Sequence, residues 1–449
     1  MIVQNYFHVQ KITFAGVGIN PMVADPNDVV KRPLLCYGLL ISTFFHMIII
    51  AHYILSHIKE YDEVTDSFPL MCQAILSIWK MSIFLSKRKD ILQLINDLHQ
   101  LNLKAEQDEL TIVRRENTND AFVSNIYFKI VLATGTFAFI HPLIYGLFVY
   151  ITSGKLVLVE ANKATYFWNY THIGGYSIVF LLNFLTSYYV CDVSLAIDTL
   201  FTWFVRNILA QFQILMHRFQ LIAKECNKDA SNGTGPGSSQ YRNPKKYFWP
   251  IIKCIQYHRK TLALAERLNQ VYVCSEICCL VFSVSRPNYS VFDAVYKVLF
   301  LTAVTLQLSL YCYNGQRIKD ESMLVSTEIY TSFDWSHLGK PYKKLLLLPL
   351  MRAQKPSHLK GVFFEVDLSL YLWGISQLGI LGFIVNSTNS ALFGITPLFV
   401  VKLSSNNKAL DMISRLKTSL MLITQHRPRK QKLLSVQFNK NRVNDEKQK

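Results

Sequence analysis

Residues 34–55 (LLCYGLLISTFFHMIIIAHYIL) contain no Asp, Glu, Lys or Arg, and the stretches 67–85, 130–151, 173–190, 295–313 and 366–385 are nearly as free of charge. A helix needs about 20 consecutive, mainly apolar residues to cross a bilayer core of about 30 Å, so each of these runs can span. One such run could be a buried core helix, but six could not. Residues 271–284 (VYVCSEICCLVFSV) form a weaker run that holds Glu276 and stops at Arg286-Pro287. Fourteen residues rise only about 21 Å, so this run spans only if its helix reaches back through 262–270 or the bilayer thins. Lys80, the single charge of the second run, stands near the run's end and is expected to snorkel to the interface. Composition supports the membrane reading, because 17% charged residues against 51% hydrophobic cannot coat a soluble chain of 449 residues. No basic stretch with an apolar core and cleavage site precedes residue 34, so the first run itself is expected to direct insertion. The expected fold class is an all-α polytopic membrane protein with seven transmembrane helices.

Orientation follows from Lys and Arg in the connectors. The segment before the first run and the connectors 86–125, 205–270 and 314–361 together carry 28 of them. The alternate connectors carry only Lys59, Lys155, Lys163 and Arg286. The N-terminus is therefore predicted to be cytoplasmic. The net charge of +17 then reads as a face turned to anionic lipid, and nucleic acid is not an expected partner. Asn169-Tyr170-Thr171, in an outward connector, is a glycosylation candidate, whereas Asn232-Gly233-Thr234 should be cytoplasmic and unused. The polar stretch 228–246 around it reads as a flexible loop, and its glycines lack the rest of any phosphate-binding fingerprint.

Catalytic and metal motifs are absent. Of nine cysteines none forms a CxxC pair, and Cys274 and Cys278 read as core packing. His46, His52 and His57 have no regular ligand spacing. Asp192, Asp198 and Glu276 are too scattered for a proton relay, and no two halves with matching broken helices suggest a transporter. Neither an enzyme, a cofactor nor a metal is expected. Aromatic residues are abundant in the outer halves of the runs, among them Phe137, Phe139, Tyr145, Phe167, Trp168, Tyr176, Phe292, Tyr296 and Phe300. They suit an interfacial belt, or the walls of an apolar cavity for a small hydrophobic molecule.

Residues 328–373 are not generic. Tyr330 and Trp335, the run Met351 to Pro356 (MRAQKP) and Phe364 to Leu368 resemble the stretch leading into the last helix of the insect odorant receptors. Tyr257-His258 with Ala265-Glu266, and residues 310–315 (LYCYNG) with Glu321-Ser322, are similar to further patches of that family. The resemblance covers roughly residues 30–373. It implies a ligand-tuning subunit of an odorant-gated cation channel in the plasma membrane, assembled with a shared co-receptor subunit into a tetramer and responsive to small volatile hydrophobic odorants. A gustatory-type or metabotropic receptor is the alternative. The absence of Asp-Arg-Tyr after the third run and of Asn-Pro-x-x-Tyr in the seventh speaks against the metabotropic one. The family pattern implies a pocket between the second, third, fourth and sixth helices. Its candidates are Met71 and Ile75, then Phe139, Leu143 and Gly146, then Tyr176 and Phe180, then Tyr296 and Phe300. The same pattern implies a pore lined from the last helix by Gln377, Leu378 and Leu381.

The domains expected are a cytoplasmic N-terminus (1–33), the transmembrane receptor region (34–385) and an atypical basic tail (386–449). Two departures from the family stand out: the short fifth run, and the chain after Trp373. From 402 to 449 the tail has twelve Lys or Arg against three acids, and seven spans would leave it outside, against the charge rule. The favoured reading is an alternative or mis-spliced end.

Overall fold

The computed structural model describes residues 6–23, 25–154, 163–170, 172–231, 246–271, 291–361 and 365–375. The fifth run beyond Val271, the loop 232–245, Phe364, Gln377, Leu378, Leu381 and the tail all lie outside the described residues. The fold is helical, and the described residues form two isolated bridges but no strand. In chain order the helices are α1 (His8–Gly16), a 3-10 turn (Pro26–Val29), α2 (Pro33–Ser56), α3 (Tyr61–Ser86), α4 (Arg88–Leu103), α5 (Gln107–Ser153), α6 (Ile173–Ser231), α7 (Phe248–Val271), α8 (Val291–Ser332) and α9 (Lys340–Ala353). A final helical segment, α10, covers 368–375.

Among the described residues four helical stretches are long and apolar enough to cross a membrane: Pro33–Ser56, Gln107–Ser153, Ile173–Asp229 and Val298–Ser332; α3 contains a shorter apolar one, Leu70–Ser86. The faces of α2 show why the bilayer is its solvent. Cys36, Leu39, Thr43, His46, Ile49, Ile50 and Ile54 are buried, while Leu34, Tyr37, Ile41, Phe44, Ile48 and Leu55 are exposed on the opposite side. A helix in water would carry polar groups there.

Three helices are far longer than a bilayer requires. At 1.5 Å per residue, the 47 residues of α5, 59 of α6 and 42 of α8 extend about 70, 88 and 63 Å. Beyond the membrane-crossing parts, α7 and α4 pack against α6 and against each other, and α9 packs against α8 and α7. The connectors 86–125, 205–270 and 314–361 are therefore largely helix rather than loop. This inner bundle holds the main apolar core: Phe201, Trp203, Phe204, Ile208, Phe212, Leu215 and Phe219 of α6 are fully buried, with Ile251 and Leu268 of α7, Ile318 and Val325 of α8 and Leu346 of α9 in the same cluster. Buried polar pairs cross it as well. Arg218 donates to both oxygens of Glu109 at 2.6 and 2.9 Å, Arg206 reaches Glu116 at 3.2 Å, and Asn102 donates to Asn207 at 2.7 Å. Glu109 also closes a capping box with Glu106 at the start of α5, and Gly154 ends that helix at φ +67°.

The N-terminal segment is built into this core. Phe7 meets Trp203 edge-on at 5.3 Å, Phe14 lies 5.0 Å from Phe84, and Gln10 donates to the Thr199 carbonyl at 3.1 Å. At the other end of the chain the backbone of Val366 runs against α8 at Gly315, where a Cβ would come within 1.9 Å of the Val366 carbonyl oxygen.

Candidate functional site

A cavity of about 80 Å³ lies between α3, α5, α6 and α8. Each helix offers it a single stripe. Leu70 and Gln73 come from α3; Tyr127, Val131, Thr134, Gly135 and Ala138 from α5; Ser187, Val190, Cys191 and Ser194 from α6; Tyr296, Phe300, Ala303, Val304 and Gln307 from α8. The spacings are those of one helical face, i, i+3/i+4, i+7/i+8, i+11. The walls are mainly apolar with a few hydroxyls and amides, the makeup that holds a small uncharged organic molecule and fixes its orientation. The Thr134 hydroxyl already donates to the Ile130 carbonyl at 2.8 Å, a bond within its own helix.

Toward the inner bundle the four stripes run on into a charged cluster. Lys80, one face further along α3, is buried and donates to Asp198 of α6 at 2.7 Å. Asp198 also accepts from Tyr127 at 2.9 Å, Gln307 at 2.7 Å and Tyr311 at 2.7 Å. Lys80 does not snorkel to an interface. A carboxylate with three further donors lies within its reach, and its own helix turns it inward.

Away from the bundle, α2 and the segment 163–170 meet over α6. His46 is fully buried, with Nδ1 at 2.9 Å from the Thr186 hydroxyl and Nε2 at 3.3 Å from Tyr166, which also accepts from Asn183 at 2.9 Å. His46 thus behaves as a satisfied core histidine. Asn169 is exposed on the same segment.

Of the pocket residues expected from the sequence, Tyr296 and Phe300 line the cavity. Phe139, Tyr176 and Phe180 form an aromatic cluster instead, with Phe139 at 6.2 Å from Phe180 and 5.1 Å from Phe184, and Tyr176 at 6.2 Å from Phe180. Met71 packs with Ile49, Tyr166 and Val179 in a separate apolar cluster. Ile75 and Leu143 are exposed, and Gly146 is half-buried off the wall. Helical register explains the difference: on α3 the cavity face passes through 70 and 73, and a shift of one residue turns a side chain by about 100°. Sequence reasoning missed Tyr127, Thr134, Cys191 and Gln307, although their spacing along the runs carries the signal. Among the described residues no group of three or more His, Cys, Asp or Glu could hold a metal.

Long apolar helices with lipid-facing stripes, and a mainly apolar cavity between four of them, define a polytopic helical membrane protein. A profile of the family described as "7tm Odorant receptor" matches residues 60–373. Odorant receptor 45a of Drosophila melanogaster is 28% identical over 387 residues, covering 84% of this chain and 96% of the relative. Odorant receptor 9a of the same species is 23% identical over 381 residues, covering 81% and 91%. Among solved structures, the insect olfactory receptor OR5 from Machilis hrabei in complex with eugenol superposes with a TM-score of 0.67 at 12% identity, covering 86% of this chain and 97% of that one. The chain belongs to the insect odorant receptor family.

Proposed function

We propose that this chain is the odorant-binding subunit of an odorant-gated cation channel, and that the cavity between α3, α5, α6 and α8 is where the odorant sits. The observation that carries the reading is the chamber itself: four stripes, apolar with sparse polar groups, from the four helices the family pattern designates. A structural relative bearing the same fold was solved with eugenol bound. Tyr296 and Phe300 act as wall, and Phe139, Tyr176 and Phe180 form a separate aromatic cluster between α5 and α6.

The surplus of Lys and Arg on one side orients the N-terminus and the inner bundle to the cytoplasm, with seven spans in the plasma membrane. By the family pattern the bundle-side ends of α6, α7, α8 and α10 then form the part that meets neighbouring subunits, the co-receptor among them. A pore-lining role for Gln377, Leu378 and Leu381, and glycosylation at Asn169, rest on the resemblance and the sequon alone. Gating is a population shift, in which the odorant binds the conducting arrangement more tightly and raises its share. The chain acts as a receptor and channel subunit rather than an enzyme.

Phe300→Ala tests the site. Removing a buried aromatic wall of this size costs on the order of 2 kcal/mol for ligands that touch it, or about thirtyfold in half-activating concentration. In cells that also express the co-receptor, odorants should lose potency unequally and change rank order. Unchanged tuning at equal surface expression would remove Phe300 and the cavity from the binding site.

A further inference from the structure

The cavity and the inner bundle meet at one carboxylate. Asp198 is fully buried and accepts from Lys80, Tyr127, Gln307 and Tyr311, so five side chains from four helices share one knot. Two of the donors, Tyr127 and Gln307, are at the same time cavity wall. We propose that this knot is a latch: it holds the cavity walls together, and a guest that spreads them breaks it and so passes occupancy to the bundle halves of α6 and α8. The proposal rests on reading the cavity as the odorant site.

Volume and geometry both lead there. About 80 Å³ is roughly half the ~150 Å³ of an engineered cavity that accepts benzene, so an odorant of several heavy atoms fits only if the walls move apart. Tyr127 of α5 and Gln307 of α8 approach the carboxylate to 2.9 and 2.7 Å. Neither helix can retreat far before its bond passes about 3.5 Å and is lost. Asp198 cannot follow both, because it stands on α6, Lys80 of α3 holds it at 2.7 Å, and three residues along α6 the Phe201 ring is stacked on Tyr311 at 4.5 Å. Charge-assisted bonds in a medium of low dielectric are either made or lost, which gives the knot two discrete states rather than a continuum. A carboxylate that merely stapled the fold would have no reason to draw half its donors from the chamber wall.

Asp198→Asn is the obvious variant, but it removes the buried carboxylate that accepts from Lys80 and can fail to reach the membrane. Tyr311→Phe is the decisive one. It keeps the ring and its stack on Phe201, removes one donor to Asp198, and is not part of the cavity wall. The heteromer with the co-receptor is recorded at matched surface expression, with and without a panel of odorants. The latch predicts a raised ligand-free current and a half-activating concentration lowered by one common factor, about three- to tenfold, for every odorant. Unchanged ligand-free current and potency, or a smaller maximal current alone, overturns the latch and leaves the odorant site standing. If the wild-type heteromer reaches the surface and conducts yet answers no odorant, the reading of the site fails, and the latch with it.

Discussion

Lys80 shows how much one side chain can hide. Its position near the end of an apolar run gives a depth, and depth alone suggests snorkelling; its partner lies 118 residues away on another helix. Only packing brings the two together, and nothing local to Lys80 announces Asp198. The same limit applies to the cavity wall: the family pattern implied Met71 and Ile75 on α3, whereas the stripe of α3 that lines the cavity passes through Leu70 and Gln73, because register is fixed by what the neighbouring helices present. Lys80→Met strands the Asp198 charge in the interior and should lower the stability of the purified chain by about 3–5 kcal/mol. Lys80→Met with Asp198→Asn together should lose less, since no unpaired charge remains. Thermal unfolding in detergent would show this, and a double variant as unstable as the sum of the singles contradicts a paired cluster. Gly315 was visible in the sequence as part of a family patch, and the structure supplies the reason: the Val366 backbone occupies the space a Cβ would need. Gly315→Ala should cost about 1–3 kcal/mol by the same measurement, and an unaffected protein would show that this approach is not tight.

At the scale of elements, α6 marks where sequence reading stopped short. Residues 173–190 were legible as a span because charge is absent. Asp192, Asp198 and Arg206 follow that span and a connector was expected from 205 onward, whereas the helix continues unbroken to Ser231. Those charges are paired or buried inside a bundle, so they end the span without ending the helix. α7, read from sequence as part of a connector, carries a pH signature. Burial, with the Arg352 guanidinium adding to it, pushes the His258 imidazole down to about 4. The folded chain thus prefers His258 neutral, and the unfolded chain, with its imidazole near 6.5, binds the proton first. The stabilisation is complete above about pH 6.5 and is lost as the pH falls toward 4. His258→Phe should flatten the stability of the chain over that window. A wild-type curve already flat between pH 6.5 and 4 would contradict a buried neutral imidazole.

For the whole molecule, two solvents explain the architecture. Helix faces turned outward along α2 and the outer part of α5 are as apolar as their buried faces, while the inner bundle segregates apolar core from buried ion pairs in the manner of a water-soluble protein. Long helices α5, α6 and α8 carry both environments along their length. Membrane class and helical fold were legible from the charge-free runs, and the family from residues 328–373. The chamber required the relative rotation of four helices, which no single run encodes. The central claim is that this chain confers odorant sensitivity on a channel. The most direct test is odorant-evoked current in cells expressing the chain with the co-receptor, under conditions that block G-protein signalling. The account predicts a cation current that persists under that block and changes its odorant rank order with Phe300→Ala. A response abolished by the block, or one identical to that of the co-receptor alone, would contradict it.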